Sequence, residues 1–150
     1  MKVTKRPPTV FQGDAGKTNM SNRHVRRSRI YVAGPLNALA VEYIINCREM
    51  MVWAEQIRHK GYSVYVPCLD LLMGLKFTWM DYYDYFENSQ PWLDAADAVF
   101  LCPGWKGSAG TLREIERARY QRIPIYESVS KLFAEIPLLV EEIIASKCKP

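Results

Sequence analysis

The stretch Pro103-Gly104-Trp105-Lys106-Gly107-Ser108-Ala109-Gly110-Thr111 holds the residue types most suited to chemistry in this 150-residue chain. Glycines at 104, 107 and 110 let the backbone approach a ligand closely, and Ser108 offers a hydroxyl. A helix expected from about Ala109 to Gln121 turns its free N–H groups toward whatever binds, so the loop reads as an anion site suited to a phosphate. Glu114 lies about one turn inside that helix, on the rim of the same pocket. There it either serves only the helix dipole or aims a carboxylate at a sugar carbon beside a phosphate held by Ser108. Beside a helix N-terminus it is expected to stay ionised at neutral pH. Glu116, two positions on, faces elsewhere.

A second loop, Gly34-Pro35-Leu36-Asn37, follows an apolar run and belongs at the same sheet edge. Between the two loops, Cys68 to Tyr85 has no clean period and leads into a dense set of rings, Phe77, Trp79, Tyr82, Tyr83, Tyr85 and Phe86. It reads either as a flap over a substrate or as a satellite core under a loop. Asp81 and Asp84 sit among these rings. Apolar surroundings raise a carboxyl toward the protonated form that a general acid needs, and the rings themselves can stack a base.

Short β-branched runs alternating with longer helical ones must position these groups, the signature of βαβ units around a parallel sheet. Strands are expected at Ile30 to Ala33, Tyr62 to Val66, Ala98 to Cys102 and Ile123 to Tyr126. Helices are expected over about 38–60, ending near 96, over 109–121 and from Val129 to Ser146. The expected fold class is α/β, a flavodoxin- or Rossmann-like parallel sheet of about five strands with helices on both faces.

The sequence divides into a basic segment over residues 1–28, expected to be flexible, and one α/β domain over 29–150. Residues 1–29 carry eight Lys or Arg against Asp14 alone, whereas 30–150 hold twelve basic and fifteen acidic residues. A nucleic-acid contact is therefore expected only through the tail, if anywhere, and the bland reading of that tail is a solvated extension. Its GDAGKT stretch, Gly13 to Thr18, has only Asp14 and Ala15 between the glycines, too few for a phosphate-wrapping P-loop. No apolar run is long enough to span a membrane and no apolar leader core follows the charged start, so a cytoplasmic protein is expected. Cys47, Cys68, Cys102 and Cys148 are widely spaced with only two histidines to help, so neither a metal site nor a cofactor is expected.

The motifs I-Y-V-A-G-P at Ile30 to Pro35, W-L-x-x-A-D-A-V at Trp92 to Val99, P-G-W-x-x-S-x-G-T-x-x-E at Pro103 to Glu114 and R-I-P-I-Y at Arg122 to Tyr126 resemble the nucleoside 2-deoxyribosyltransferase superfamily. The likeness covers 30 to about 127 and is nearest to the small phage and bacterial members and the nucleotide N-glycosidases of that group. It implies N-glycosidic bond chemistry on a flavodoxin-like fold, as a homodimer or larger assembly, acting on a nucleoside or nucleoside monophosphate. Glu114 matches the nucleophile that attacks the anomeric carbon, Ser108 a serine that holds a 5′-phosphate, and Tyr31 a tyrosine that orients the glutamate. Gly34, Pro35 and Asn37 match a loop touching sugar and base; Gly107, Gly110 and Thr111 complete the phosphate loop. Where the family places an aspartate that contacts the sugar or helps protonate the leaving base, this chain has Ser89. Either Asp84 or Asp81 replaces it, or the protein binds without efficient turnover. The cytokinin riboside monophosphate phosphoribohydrolases share part of the glycine-rich motif and imply the same bond and the same glutamate.

The leading expectation is an N-glycosidase or deoxyribosyltransferase, in which a carboxylate stabilises an oxocarbenium-like state. Its rival is a nucleotide-binding sensor or accessory protein without turnover. A nucleic-acid-binding module, resting on the tail alone, is a third. The apolar residues of the first and last helices exceed what one small sheet covers, which also points to a homo-oligomer.

Overall fold

The computed structural model describes residues 23–36, 38–77 and 79–143. The elements run in the order β1 (Arg23–Arg27), β2 (Arg29–Ala33), α1 (Ala40–His59), β3 (Ser63–Tyr65), a 3-10 turn (Pro67–Asp70), α2 (Leu71–Lys76), α3 (Tyr82–Asp94), β4 (Ala98–Leu101), a 3-10 turn (Trp105–Gly107), α4 (Ala109–Tyr120), β5 (Ile125–Tyr126), α5 (Val129–Glu135) and β6 (Leu139–Ile143).

Strands β3-β2-β4-β5 form a four-stranded, wholly parallel sheet, with Ile30 opposite Val64 on one side and Ala98 on the other. β2 and β4 are buried on both faces, as parallel strands under helices must be, and alternate residues serve separate cores. Ile30, Val32, Ala98 and Phe100 pack with Met50, Ala54 and Ile57 of α1 and Leu132 of α5. Tyr31, Ala33, Val99 and Leu101 pack with Leu93 of α3 and with Ile115 and Ala118 of α4. The expected α/β class with helices on both faces is present, with four strands in the parallel sheet.

Two segments differ from expectation. The stretch from Val129 stops as a helix at Glu135, because Pro137 cannot donate into a helix and pushes Ile136 to an extended conformation. Leu139–Ile143 instead pairs antiparallel with β1, Arg26 opposite Val140. Consequently Arg23 to Ser28, assigned from sequence to the tail, belongs to the folded body; residues 1–22 lie outside the described residues. A clasp holds the ribbon to the sheet: the Arg26 guanidinium donates twice to Asp97, at 2.5 and 2.8 Å, and the Arg29 amide donates to Asp97 Oδ2 at 2.7 Å. Burial penalises the Asp97 charge, but these donors and the two arginine charges outweigh it and hold the carboxyl below its ordinary range. Ser28, fully buried, donates from its hydroxyl to the Pro137 carbonyl.

Cys47, Cys68 and Cys102 are free and buried, and burial pushes the Cys68 and Cys102 thiols up to about 12, the chemistry of reduced core residues. Cys148 lies outside the described residues. Among the described residues no helix is long and apolar enough to cross a membrane.

Candidate active site

Strand order reverses between β2 and β4, since the chain passes from β2 outward to β3 and then back across to β4. Ligands of open parallel sheets bind beyond the carboxyl ends at such a switch point. A cavity of about 390 Å³ lies there, lined by Gly34 after β2, by Pro67 and Asp70 after β3, by the first turns of α3 and by Ser108, Gly110, Thr111 and Glu114 of α4.

Ser108 is the N-cap of α4. Its Oγ accepts from the Thr111 N–H at 3.3 Å and from the Thr111 hydroxyl at 3.0 Å, so its own O–H remains to donate. A side chain on Gly110 would begin 3.5 Å from the Tyr82 hydroxyl and 3.9 Å from Ser108 Oγ, where it would narrow the space between α3 and α4. The two helices are tied by Arg117 donating to both oxygens of Asp94, at 2.7 and 2.6 Å, and by Arg113 lying over the Tyr82 ring.

Glu114 is one and a half turns into α4. The Tyr31 hydroxyl, from the fully buried centre of β2, donates to Glu114 Oε1 at 2.6 Å. The expectation that the helix N-terminus keeps Glu114 ionised is corrected. Dipole stabilisation fades beyond the first turn, and desolvation raises the carboxyl to about 7 even though the Tyr31 hydrogen bond pulls it down. Burial and the neighbouring Glu114 charge push Tyr31 well above its ordinary range, so its phenol stays a donor. Ser89 is buried beside that hydroxyl, lines the cavity and donates to the Phe86 carbonyl at 3.1 Å.

The other expected site residues separate. Asp81 lines the cavity but is committed as the N-cap of α3, its Oδ1 accepting from the amides of Tyr83 and Asp84 at 2.7 and 3.2 Å. Asp84 turns back to accept from the Asp81 amide at 2.7 Å, completing a capping box, and is not among the lining residues. Gly34 lines the cavity, yet its want of a side chain serves packing, since a Cβ there would meet Cys102 Cβ at 2.9 Å and Met50 Cγ at 3.2 Å. Pro35 and Gly107 are not among the lining residues, and Asn37 lies outside the described residues. Gly104 takes the left-handed conformation, φ 84°, that turns the chain out of β4. Met80, Tyr82, Tyr85 and Phe86 of the aromatic segment line the cavity, while Phe77, Trp79 and Tyr83 are exposed.

One group passed over in the sequence is Asp70. It stands in the turn after β3, lines the cavity, and accepts from the Tyr65 hydroxyl at 3.0 Å and from Asn88 Nδ2 at 2.9 Å, both at Oδ2. Applying the carboxyl-end rule to β3 as well as to β2 and β4 finds it. No cluster suited to a metal ion is present among the described residues.

The fold and the cavity thus define an α/β domain with a carboxylate pocket at its switch point. A family model described as Domain of unknown function (DUF4406) matches residues 28–127, and the chain belongs to that family. The match begins at Ser28 and ends at Glu127, so it spans all four strands of the parallel sheet and the cavity. No curated protein matches the chain.

Proposed function

We propose that the chain acts at the N-glycosidic bond of a nucleoside 5′-monophosphate or nucleoside, hydrolysing it or passing the deoxyribosyl group to a second base. The observation that carries this reading is the placement of Glu114, oriented by Tyr31 at 2.6 Å, in one cavity with the donating hydroxyl of Ser108 at the start of α4. A cavity of about 390 Å³ falls in the range that takes a small molecule of this size.

In this mechanism the Ser108 hydroxyl and the first amides of α4 hold the 5′-phosphate. The ionised Glu114 attacks the anomeric carbon. The C–O bond to the enzyme forms as the C–N bond breaks, and the base departs with the electron pair and takes up a proton. Water, or an N–H nitrogen of a second base, then attacks the same carbon, breaks its C–O bond to Glu114 and loses a proton to solvent, which balances the proton the first base took up on leaving. A nucleophile at about 7 is partly ionised at neutrality, so activity rises with pH through that region. The motif resemblance to the nucleoside 2-deoxyribosyltransferase superfamily at Tyr31, Ser108 and Glu114 supports the same assignment.

Ser89, where the resembled nucleoside 2-deoxyribosyltransferase superfamily places an aspartate, with Asp81 and Asp84 engaged in a capping box, favours a second reading: a nucleotide-binding sensor that keeps the pocket without turnover. The chain also forms a homo-oligomer in this proposal, because α1 leaves Val41, Ile44 and Ile45 72, 57 and 53% exposed on the side away from the sheet. Incubation with ribo- and deoxyribonucleoside monophosphates, followed by chromatography for free base, tests the enzymatic reading. Release that Glu114→Ala abolishes supports it; a thermal shift with nucleotide but no product assigns the sensor, and neither response discards both.

A further inference from the structure

Asp70 occupies a position where an aspartate ordinarily caps a helix. It precedes α2 directly, yet its side chain makes no capping hydrogen bond. Tyr65 and Asn88, from β3 and α3, hold it at the cavity wall instead, and both donate to Oδ2. Oδ1 has no hydrogen bond among the described residues. Tyr65 stands in register with Tyr31 on the neighbouring strand, their rings 5.6 Å apart, so adjacent strands carry matching tyrosines, each donating to a carboxylate of the same cavity. Tyr65 is itself fixed by stacking on Trp92 at 5.2 Å. This is the construction of a group held ready for a ligand.

The order along the sheet edge says which part of the ligand that is. In the reading proposed above, on which this inference rests, the phosphate lies at Ser108 after β4 and the anomeric carbon at Glu114, which Tyr31 of β2 holds. The next strand is β3. A nucleotide runs phosphate, sugar, base, so its base falls on the β3 side, beside Asp70. Tyr65 and Asn88 supply donors to Asp70, which therefore acts as an acceptor and completes its set with an N–H of the ligand. We infer that Asp70 is a specificity-determining residue that accepts a hydrogen bond from an exocyclic amino group of the base, so the cavity takes amino-bearing bases in preference to their oxo counterparts. An oxo base would set a carbonyl oxygen against the carboxylate, leaving two acceptors facing each other away from bulk water.

The test uses the whole chain with matched pairs, CMP against UMP and AMP against IMP, each as ribo- and deoxyribonucleotide. Base release is measured by chromatography, and binding to Glu114→Gln by calorimetry. The wild type is expected to favour the amino member of each pair by about 10- to 100-fold. Asp70→Asn, whose amide presents an N–H as well as a carbonyl, is expected to cut that preference at least tenfold. Asn88→Ala, an exposed change that leaves Asp70 less firmly held, lowers the preference while the fold is retained, which covers the case of an unstable Asp70→Asn. Base release with no amino preference, or a preference that both variants leave intact, overturns the role of Asp70 while the glycosidase reading stands. A change confined to the ribo-to-deoxyribo ratio also overturns it, by placing Asp70 on a sugar hydroxyl. Amino-selective binding without release leaves the role of Asp70 standing and overturns the glycosidase reading; no binding and no release overturns both.

Discussion

Tyr31→Phe removes one hydrogen bond from Glu114 and leaves the ring that packs between β3 and β4. A hydrogen bond to a charged group contributes about 1.5–3 kcal/mol, which at about 1.4 kcal/mol per unit raises the carboxyl by ~1–2 units. In the glycosidase proposed above, with Glu114 as nucleophile, the acid limb of the pH–rate profile then moves from about 7 to roughly 8–9. At pH 7 the ionised fraction of the nucleophile falls from about half to between ~1 and ~10%, so kcat/KM drops about 5- to 50-fold. At pH 9.5 nearly all of that loss is recovered, to within about 1.3-fold of the wild type. The assay is base release from the best nucleotide over pH 5.5–9.5, with thermal unfolding of both proteins as a folding control. A limb that stays in place, or a loss of equal size at every pH, refutes the assignment of Tyr31 as the donor that keeps Glu114 ionised.

Other perturbations bear on stability. Because the folded carboxyl of Glu114 stands at about 7 against 4.5 for the free group, its ionisation opposes folding: the cost is absent below pH 4.5 and reaches on the order of 3 kcal/mol above pH 7. Glu114→Gln is therefore expected to raise the melting temperature at pH 8 and change it little at pH 4.5, read by calorimetry at both values. Asp97 has the opposite sign, its depressed carboxyl stabilising the fold above the ordinary carboxylate range and losing that effect as pH falls. Asp97→Asn, by weakening the Arg26 clasp, is expected to cost about 2–3 kcal/mol in urea unfolding at pH 7 and less at pH 3. Gly34→Ala places a methyl against Cys102 and Met50 and is expected to destabilise by about 1–3 kcal/mol in the same unfolding assay.

The parallel sheet was legible because β2 and β4 are unbroken apolar runs ending in glycine or proline, and α4 because its start combines a glycine turn, a capping serine and helical spacing. Once these elements were placed, a shared cavity for Ser108 and Glu114 followed from the switch-point rule. The ribbon was not legible. Arg-His-Val-Arg-Arg has no apolar alternation, and it becomes a strand through a partner more than a hundred residues away and an ion pair with Asp97. Leu139–Ile143 hid behind the helical spacing of the residues before it, although Pro137 marked the break. The protonation of Glu114 is not legible in the sequence, because spacing locates a side chain relative to a helix end but does not report how much protein surrounds it. Asp70 escaped because its meaning comes from Tyr65 and Asn88, one on a strand and one on a helix, whose convergence no local pattern encodes.

Arg23 and Ile143 stand opposite each other in the ribbon, whose β1 leads through Ser28 into the amino end of β2. The folded body is therefore entered and left at a single pole, the one remote from the cavity mouth. Joining Arg23 to Ile143 by a short peptide and reopening the chain at the exposed Gln121–Arg122 turn would give a circular permutant that preserves every strand pairing. A domain joined at Arg23 or Ile143 would stand at the pole opposite the cavity.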